Sequence, residues 1–274
     1  MEELMKKSFL IGPAGILIAL LFLGSCFSLP GGDSGLFGGV QQSLSDRASA
    51  EIASATGLTG MTNKMMFNMM YSQVLFIGGF GAGFYELEET QGAIWSITST
   101  AEDGTVSKVD AERALLKKLP NGDEWWYLSW RTGTDSMEYE ALLNKDYQAK
   151  KIRYYNPDVK RIEEAVFTET AAPKSDEAPP PEPGASSLDM NDLSGLSKGN
   201  ETIKIGSSTY NTERLEWVYT DQEENATYDY TWWVDTKTAG GLVKYNWTKS
   251  GSKESLSGEL SSLKKGYTTK FNSF

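Results

Sequence analysis

One cysteine, Cys26, and no histidine set the first limits on the chemistry this chain of 274 residues can carry. Without histidine there is no Ser-His-Asp or Cys-His nucleophilic catalysis, no imidazole general base and no imidazole-ligated metal. What remains is a pair of carboxylates, a Ser-Lys dyad, or a hard cation held by carboxylates. Acids do occur in runs: Glu86, Glu88 and Glu89; Glu138 and Glu140; Glu163 and Glu164; Glu223 and Glu224. A glycosidase needs two carboxylates facing each other across a cleft. Spacing along the chain does not pair these acids, and acid runs are most often solvated faces. No stretch fits the D-x-[DN]-x-[DN]-G calcium loop. The glycines at 78–83 do not make a phosphate loop, because no Lys-Ser/Thr follows and Gly79-Phe80-Gly81-Ala82-Gly83 lacks the dinucleotide spacing. The expectation is a protein that is not an enzyme and uses no cofactor and no metal.

Tryptophan is the more informative residue. All eight lie between Trp95 and Trp247, in stretches that read as β-strand. Alternation sorts them by face. Trp126, Leu128 and Trp130 share one face of their strand. So do Leu215, Trp217 and Tyr219; Tyr228, Tyr230, Trp232 and Val234; and Val243, Tyr245 and Trp247. These are the predicted inner residues. Aromatics bury large areas and favour sheets, so core packing accounts for them. The functional reading is an inner face that forms an aromatic cavity sized for acyl chains. Its candidate ligand-binding residues are Trp126, Trp130, Trp217, Trp232 and Trp247, with Met66, Met70 and Val74 from a preceding helix. Trp125, Tyr127 and Trp233 fall on the opposite face. They are exposed there as a sugar-stacking strip unless a helix or loop covers them.

Residues 41–56 carry Leu44, Ala48 and Ile52 at helical spacing, with Gly57 as a stop. In residues 61–85, Met66, Met70, Val74 and Ile77 fall on one helical face. Thr62 or Asn63 is placed to cap the start, and Gly78-Gly79 to end the helix. Three roles fit this stretch: a core helix packed on a sheet, a methionine-rich lid over a lipid-binding face, or a membrane span. Asn68, Ser72, Gln73 and the glycines argue against the span.

From Ala93 the pattern is β. Residues 93–99 alternate, and Glu102-Asp103-Gly104 turns the chain. Residues 106–119 read as one long strand or as a strand broken near Asp110, with a rival helix over 110–119. Asn121-Gly122-Asp123 is a hairpin signal. Strands are expected at 125–131, 137–143, 149–155 and 161–168. Residues 171–200 hold Pro173, Pro179, Pro180, Pro181 and Pro183 among acids and small residues. That composition cannot bury enough apolar surface to order itself, so it reads as an acidic spacer, with PxxP-type recognition as the alternative. Strands resume at 202–205, 209–220, 226–235, 242–249, 256–263 and 267–271. The stretch Trp232-Trp233-Val234-Asp235 with Gly240-Gly241-Leu242-Val243-Lys244 resembles a segment of exported β-sheet proteins, which implies sheet architecture alone.

The amino-terminal residues give an address. Lys6 and Lys7 precede an uncharged run from Ser8 to Ser25, and the run closes in Leu23-Gly24-Ser25-Cys26. A basic n-region, an apolar h-region and a small-residue cleavage site make a secretory signal. The Leu-Gly-Ser-Cys ending resembles the processing box of bacterial lipoproteins. That resemblance implies lipidation of the Cys26 sulfur, cleavage before Cys26, and acylation of the new amino terminus. The alternative is an uncleaved anchor helix, for which the run is at the lower limit of about 20 apolar residues. With Cys26 acylated, no thiol is left for disulfides, thiolate zinc sites or redox chemistry. The net charge of −11 argues against nucleic acid, whose binding rests on Lys and Arg contacts to phosphate.

These readings divide the chain into a lipoprotein signal peptide (1–25), a glycine-rich lipid tether (26–40), a helical segment (41–85), a β block (86–170), a Pro/Glu-rich linker (171–200) and a second β block (201–274). The expected fold is mainly β with minor α. It is one curved antiparallel sheet or half-barrel of about 10–11 strands, with one or two amino-terminal helices packed on it. This layout resembles the carrier and acceptor proteins of the lipoprotein-sorting pathway, at the level of fold only. The functional expectation is a lipid-anchored bacterial envelope protein that binds a hydrophobic ligand or scaffolds the envelope. Its partners are the membrane, through the anchor, and a hydrophobic ligand or an envelope protein. A surface adhesin or glycan-binding lipoprotein is the alternative, and a carboxylate-dependent glycan hydrolase the third reading. Phe27, not Asp, follows the cysteine, which by resemblance to enterobacterial lipoproteins points to the outer membrane.

Overall fold

A computed structural model describes residues 58–75, 77–79, 87–133, 135–145, 147–167, 194–221 and 225–274. The expected signal, tether and first helix, and most of the linker, lie outside the described residues.

Eleven strands form one sheet: β1 (Gln91–Thr100), β2 (Val106–Lys118), β3 (Glu124–Thr132), β4 (Asp135–Leu143), β5 (Ala149–Asn156), β6 (Arg161–Val166), β7 (Ser197–Ile205), β8 (Ser208–Asp221), β9 (Ala226–Val234), β10 (Leu242–Lys249) and β11 (Ser255–Lys265). Their order is β6-β5-β4-β3-β2-β1-β11-β10-β9-β8-β7, and every neighbouring pair is antiparallel. The two β blocks are therefore halves of one sheet, joined at its centre where β1 pairs with β11. Each half is a meander built from hairpins, the arrangement that short Asn-Gly and Gly-Gly turns permit. β7 comes back into contact with β11 although three strands separate them, so this half is strongly curled. β6 and β7 end up at opposite edges.

One described helix, α1 (Leu58–Leu75), packs on the inner face, chiefly against β2 and β3. Phe67, Met70, Tyr71, Val74 and Leu75 are its buried apolar residues. They recur at the three-and-four spacing of a single helical face. No described helix is long and apolar enough to cross a membrane. A single 3-10 turn, Ile77–Gly79, follows and packs against β10 and β11.

Residues 106–118 are one strand, and the rival helix over 110–119 does not form. Leu115 and Leu116 bury on opposite faces of β2, because a strand between two partners needs apolar residues on both faces there. Two sequence expectations change. β7 starts at Ser197, inside the stretch read as linker, where its backbone pairs with β8 despite its polar side chains. Residues 267–271 are not a strand. The chain leaves β11 at Lys265 and lies as a strap across the outer face.

Candidate functional site

The inner face is a continuous apolar surface that runs across both halves of the sheet. In the first half, Phe67 of α1 meets Tyr139 of β4 with ring centroids 5.4 Å apart, and Phe167 at 5.6 Å. Met70, Val74, Trp126 and Trp130 are buried there, and Met66 is half-buried. The carboxyl end of α1 has no basic residue in its last turn. It is capped from the sheet instead: Arg113 of β2 donates to the Leu75 carbonyl. Burial pushes that guanidinium down to about 10, so it stays charged at neutral pH, where it complements the end of the helix dipole.

In the second half the inner residues form a ladder of rings. Trp217 lies 5.1 Å from Tyr230, Tyr230 lies 5.6 Å from Trp232, and Tyr228 lies 5.7 Å from Trp247. Tyr219 continues it, 5.5 Å from Trp217. Trp217 and Tyr219 on β8 are half-buried, whereas Tyr228, Tyr230, Trp232 and Trp247 are buried. Burial holds the Tyr139, Tyr230 and Tyr245 hydroxyls well above their ordinary range, so they act as neutral hydrogen-bonding groups, not bases. The 77–79 turn packs on β10 and β11 beside the junction of the two halves, where the Trp95 ring of β1 lies 6.0 Å from that of Tyr245 on β10. Trp232 Nε1 donates to the Gly78 carbonyl at 2.8 Å, and Tyr245 lies between Gly78 on this turn and Gly258 on β11.

The five inner tryptophans and the three helix residues named from the sequence are thus on one face and in one continuous core, with Met66 and Trp217 packed against its edge. Met66, Met70, Val74, Trp126 and Trp130 belong to the half covered by α1. Trp217, Trp232 and Trp247 belong to the ladder. Sequence reasoning missed a row in the first half. Strand register places Trp95, Ala111 and Trp130 side by side on β1, β2 and β3. Among the described residues, the Nε1 atoms of Trp95 and Trp130, and Oε1 of Gln73 on α1, are buried with no hydrogen-bond partner. Such orphaned groups are uncommon in native interiors. Period-two alternation signals the row's residues, but their alignment is set by pairing alone.

The outer strip is not open. Trp125 and Tyr127 are each only 4% exposed, covered by the strap. The Trp125 ring lies 6.5 Å from Phe274, and Tyr127 lies 6.2 Å from Tyr267. Trp233 is half-buried, with its Nε1 bonded to Glu201 at 2.9 Å and the Lys244 ammonium 5.5 Å from its ring centroid. The three residues named for glycan stacking therefore do not form an open platform. The acids named for hydrolysis do not face one another either. Glu138 pairs with Lys270, Glu163 with Arg161 and Glu164 with Arg153. Glu140 is fully buried beneath the strap. Glu86, Glu223 and Glu224 lie outside the described residues. Among the described residues, no group of three or more metal-ligating side chains is assembled.

No protein-family model matches the chain, and neither does any curated protein. Solved structures share a distant likeness. A Bacteroides fragilis protein with a YmcC-like fold is 10% identical, with 67% of this chain and all of that chain covered, at a TM-score of 0.34. MucB in the Pseudomonas aeruginosa MucA/MucB complex is 11% identical over 66% of this chain and 54% of that chain, at 0.33. A LolA superfamily protein from Nitrosomonas europaea is 7% identical over 69% of this chain and 93% of that chain, at 0.25.

Proposed function

We propose that this chain is a non-enzymatic bacterial envelope protein, anchored by lipid on Cys26 at the outer membrane, that holds a hydrophobic ligand against the inner face of its sheet. The observation that carries the reading is the extent of that face. Its aromatic lining continues across β8, β9 and β10, well beyond β2 and β3 where α1 packs. Trp217 and Tyr219 form its half-buried rim. Apolar concave surfaces with a few polar groups are the usual form of small-molecule sites. The Trp95–Ala111–Trp130 row supplies two such groups. An acyl carbonyl or carboxyl oxygen would satisfy the indole donors there.

The test uses the full chain in bacteria supplied with a photo-activatable fatty acid bearing a diazirine. After irradiation, the labelled peptides are mapped by mass spectrometry. Label on β8 to β10, lost when Trp217 is changed to Glu, is the expected result. Label confined to the peptide that carries Cys26 refutes ligand binding at the inner face while leaving the anchor intact.

A further inference from the structure

The outer face carries a structure that the ligand reading does not use. Residues 266–274 cross β2, β3, β4 and β5 side-on, adding no strand to the sheet. Their contacts are unlike ordinary core packing, because the sheet grips the main chain of the strap. Glu140 of β4 is fully buried. It accepts from the backbone amides of Lys270 and Phe271, from Thr269 Oγ1 at 2.6 Å, and from the Ser273 hydroxyl. Arg153 of β5 donates Nη1 to the Phe271 carbonyl at 2.9 Å and to the Asn272 carbonyl. A buried carboxylate for the amides and a guanidinium for the carbonyls read a peptide backbone whatever its sequence.

Side-chain selectivity is confined to a few positions. The Tyr267 hydroxyl donates to the buried Glu112 at 2.6 Å, and its ring lies against Tyr127. Lys270 Nζ bonds Glu138 at 3.0 Å and sits 5.0 Å from the Tyr127 ring centroid. Phe271 is buried, and Phe274 packs near Trp125 with the Lys117 ammonium 4.8 Å from its ring centroid. The strap joins β11 through Gly266 at φ +83, where nothing lies within 4 Å of the position a Cβ would take. That residue is an uncrowded pivot.

We infer that the outer face of β2 to β5 is a peptide-binding groove, and that the chain's own strap occupies it in cis. The partner it fits is an extended polypeptide segment with an aromatic residue, two hydroxyl residues, a lysine and a second aromatic residue in succession, as in Tyr267-Thr268-Thr269-Lys270-Phe271. Glu140 and Arg153 hold the partner's main chain, Glu112 and Glu138 take its phenol and ammonium, and Tyr127 packs on its first ring. The tethered strap competes at an effective concentration of roughly millimolar, so it screens out weak competitors. Displacing it also bares the Trp125–Tyr127 patch.

The experiment is fluorescence anisotropy with a fluorescein-labelled synthetic peptide of residues 266–274. The protein is the full chain carrying Tyr267→Ala, Thr269→Ala and Phe271→Ala, which weakens the strap and leaves the groove untouched. The expected result is binding at least tenfold tighter than to the wild-type chain, abolished when Glu140→Ala is added. A strap variant that keeps its far-ultraviolet β signal yet binds no better than wild type up to millimolar peptide overturns the proposal. Should that variant fail to fold, hydrogen exchange of the wild-type chain decides. Lys270 and Phe271 amides that exchange at least a hundredfold faster than the Leu128 and Tyr139 amides show a displaceable strap. Equal rates show a strap that opens only with the whole sheet, and refute the groove.

Discussion

Adding one methyl group at Gly258 should strain the inner face at its tightest point. Tyr245 pairs with Gly258 across the β10–β11 ladder, and its ring lies over that glycine. A Cβ at 258 would stand 2.3 Å from Tyr245 Cε1 and 2.7 Å from Cζ. Non-bonded carbons approach favourably no closer than about 3.5 Å, so the ring must give way by roughly 1 Å. It has no free side to move to. A Cβ at Gly78, on the turn that covers the ring, would already be 2.5 Å from Tyr245 Cγ, and Gly78 is itself pinned by Trp232 Nε1 at 2.8 Å. Overpacking a closed interior costs about 1–3 kcal/mol, and with both sides blocked Gly258→Ala belongs near the upper value. Urea unfolding followed by tryptophan emission measures it, with the slope of the transition held as a check on two-state behaviour. A cycle with Tyr245→Leu identifies the cause. If the clash is with the ring, Gly258→Ala adds little in the Leu background. Destabilisation below about 0.5 kcal/mol, or full additivity in the cycle, would refute the slot.

Glu140→Ala removes the common acceptor of two strap amides and two hydroxyls, and is expected to destabilise the fold by about 3 kcal/mol; Glu140→Gln, which keeps one acceptor oxygen, should lose less, and thermal melts of the pair rank them. Freeing the strap in Glu140→Ala should also bare Trp125, read as added quenching of tryptophan emission by acrylamide, and unchanged quenching would count against the strap as its cover. Trp95→Phe and Trp130→Phe remove the orphaned indole N–H groups while keeping apolar bulk. If these groups hold an acyl oxygen, the variants weaken binding of a fatty acid by about tenfold while leaving that of the parent alkane unchanged, as measured by displacement of a fluorescent apolar probe. Alkaline pH should unfold the protein: the native pKa values of Tyr71, Tyr139, Tyr230 and Tyr245 are raised above 10.0, so the unfolded chain releases protons that the native state keeps, and stability falls as pH rises from about 10. Arg113, lowered to about 10, acts in the opposite direction over the same range but is one group against four. Phenolate absorbance should therefore rise together with loss of the β signal, and ionisation of these tyrosines in a still-folded chain would contradict their burial.

The sequence by itself settled the mainly antiparallel β architecture, and most strand bounds fell within a residue or two. Period-two alternation of large aromatics and short Asn-Gly and Gly-Gly turns are local signals, and local signals are what a sequence displays. The same alternation named the inner tryptophans correctly by face. It did not tell strand from helix over 110–119, because Ala111, Leu115, Leu116 and Leu119 satisfy both periods, and only pairing of β2 with β1 and β3 decides between them. Nor did it show that Trp126 and Trp217 lie in different halves of the inner face, since that placement follows from strand order. The strap was invisible for a related reason. Tyr267-Thr268-Thr269-Lys270-Phe271 has the alternation of a strand, yet beyond the Tyr267 amide, which donates to the Thr90 carbonyl, its backbone partners are the side chains of Glu140 and Arg153, more than a hundred residues earlier. Glu140 reads as one acid in a run, and nothing in the sequence singles out Arg153. A buried carboxylate becomes favourable only when donors from elsewhere converge on it, and that convergence exists only in the folded chain.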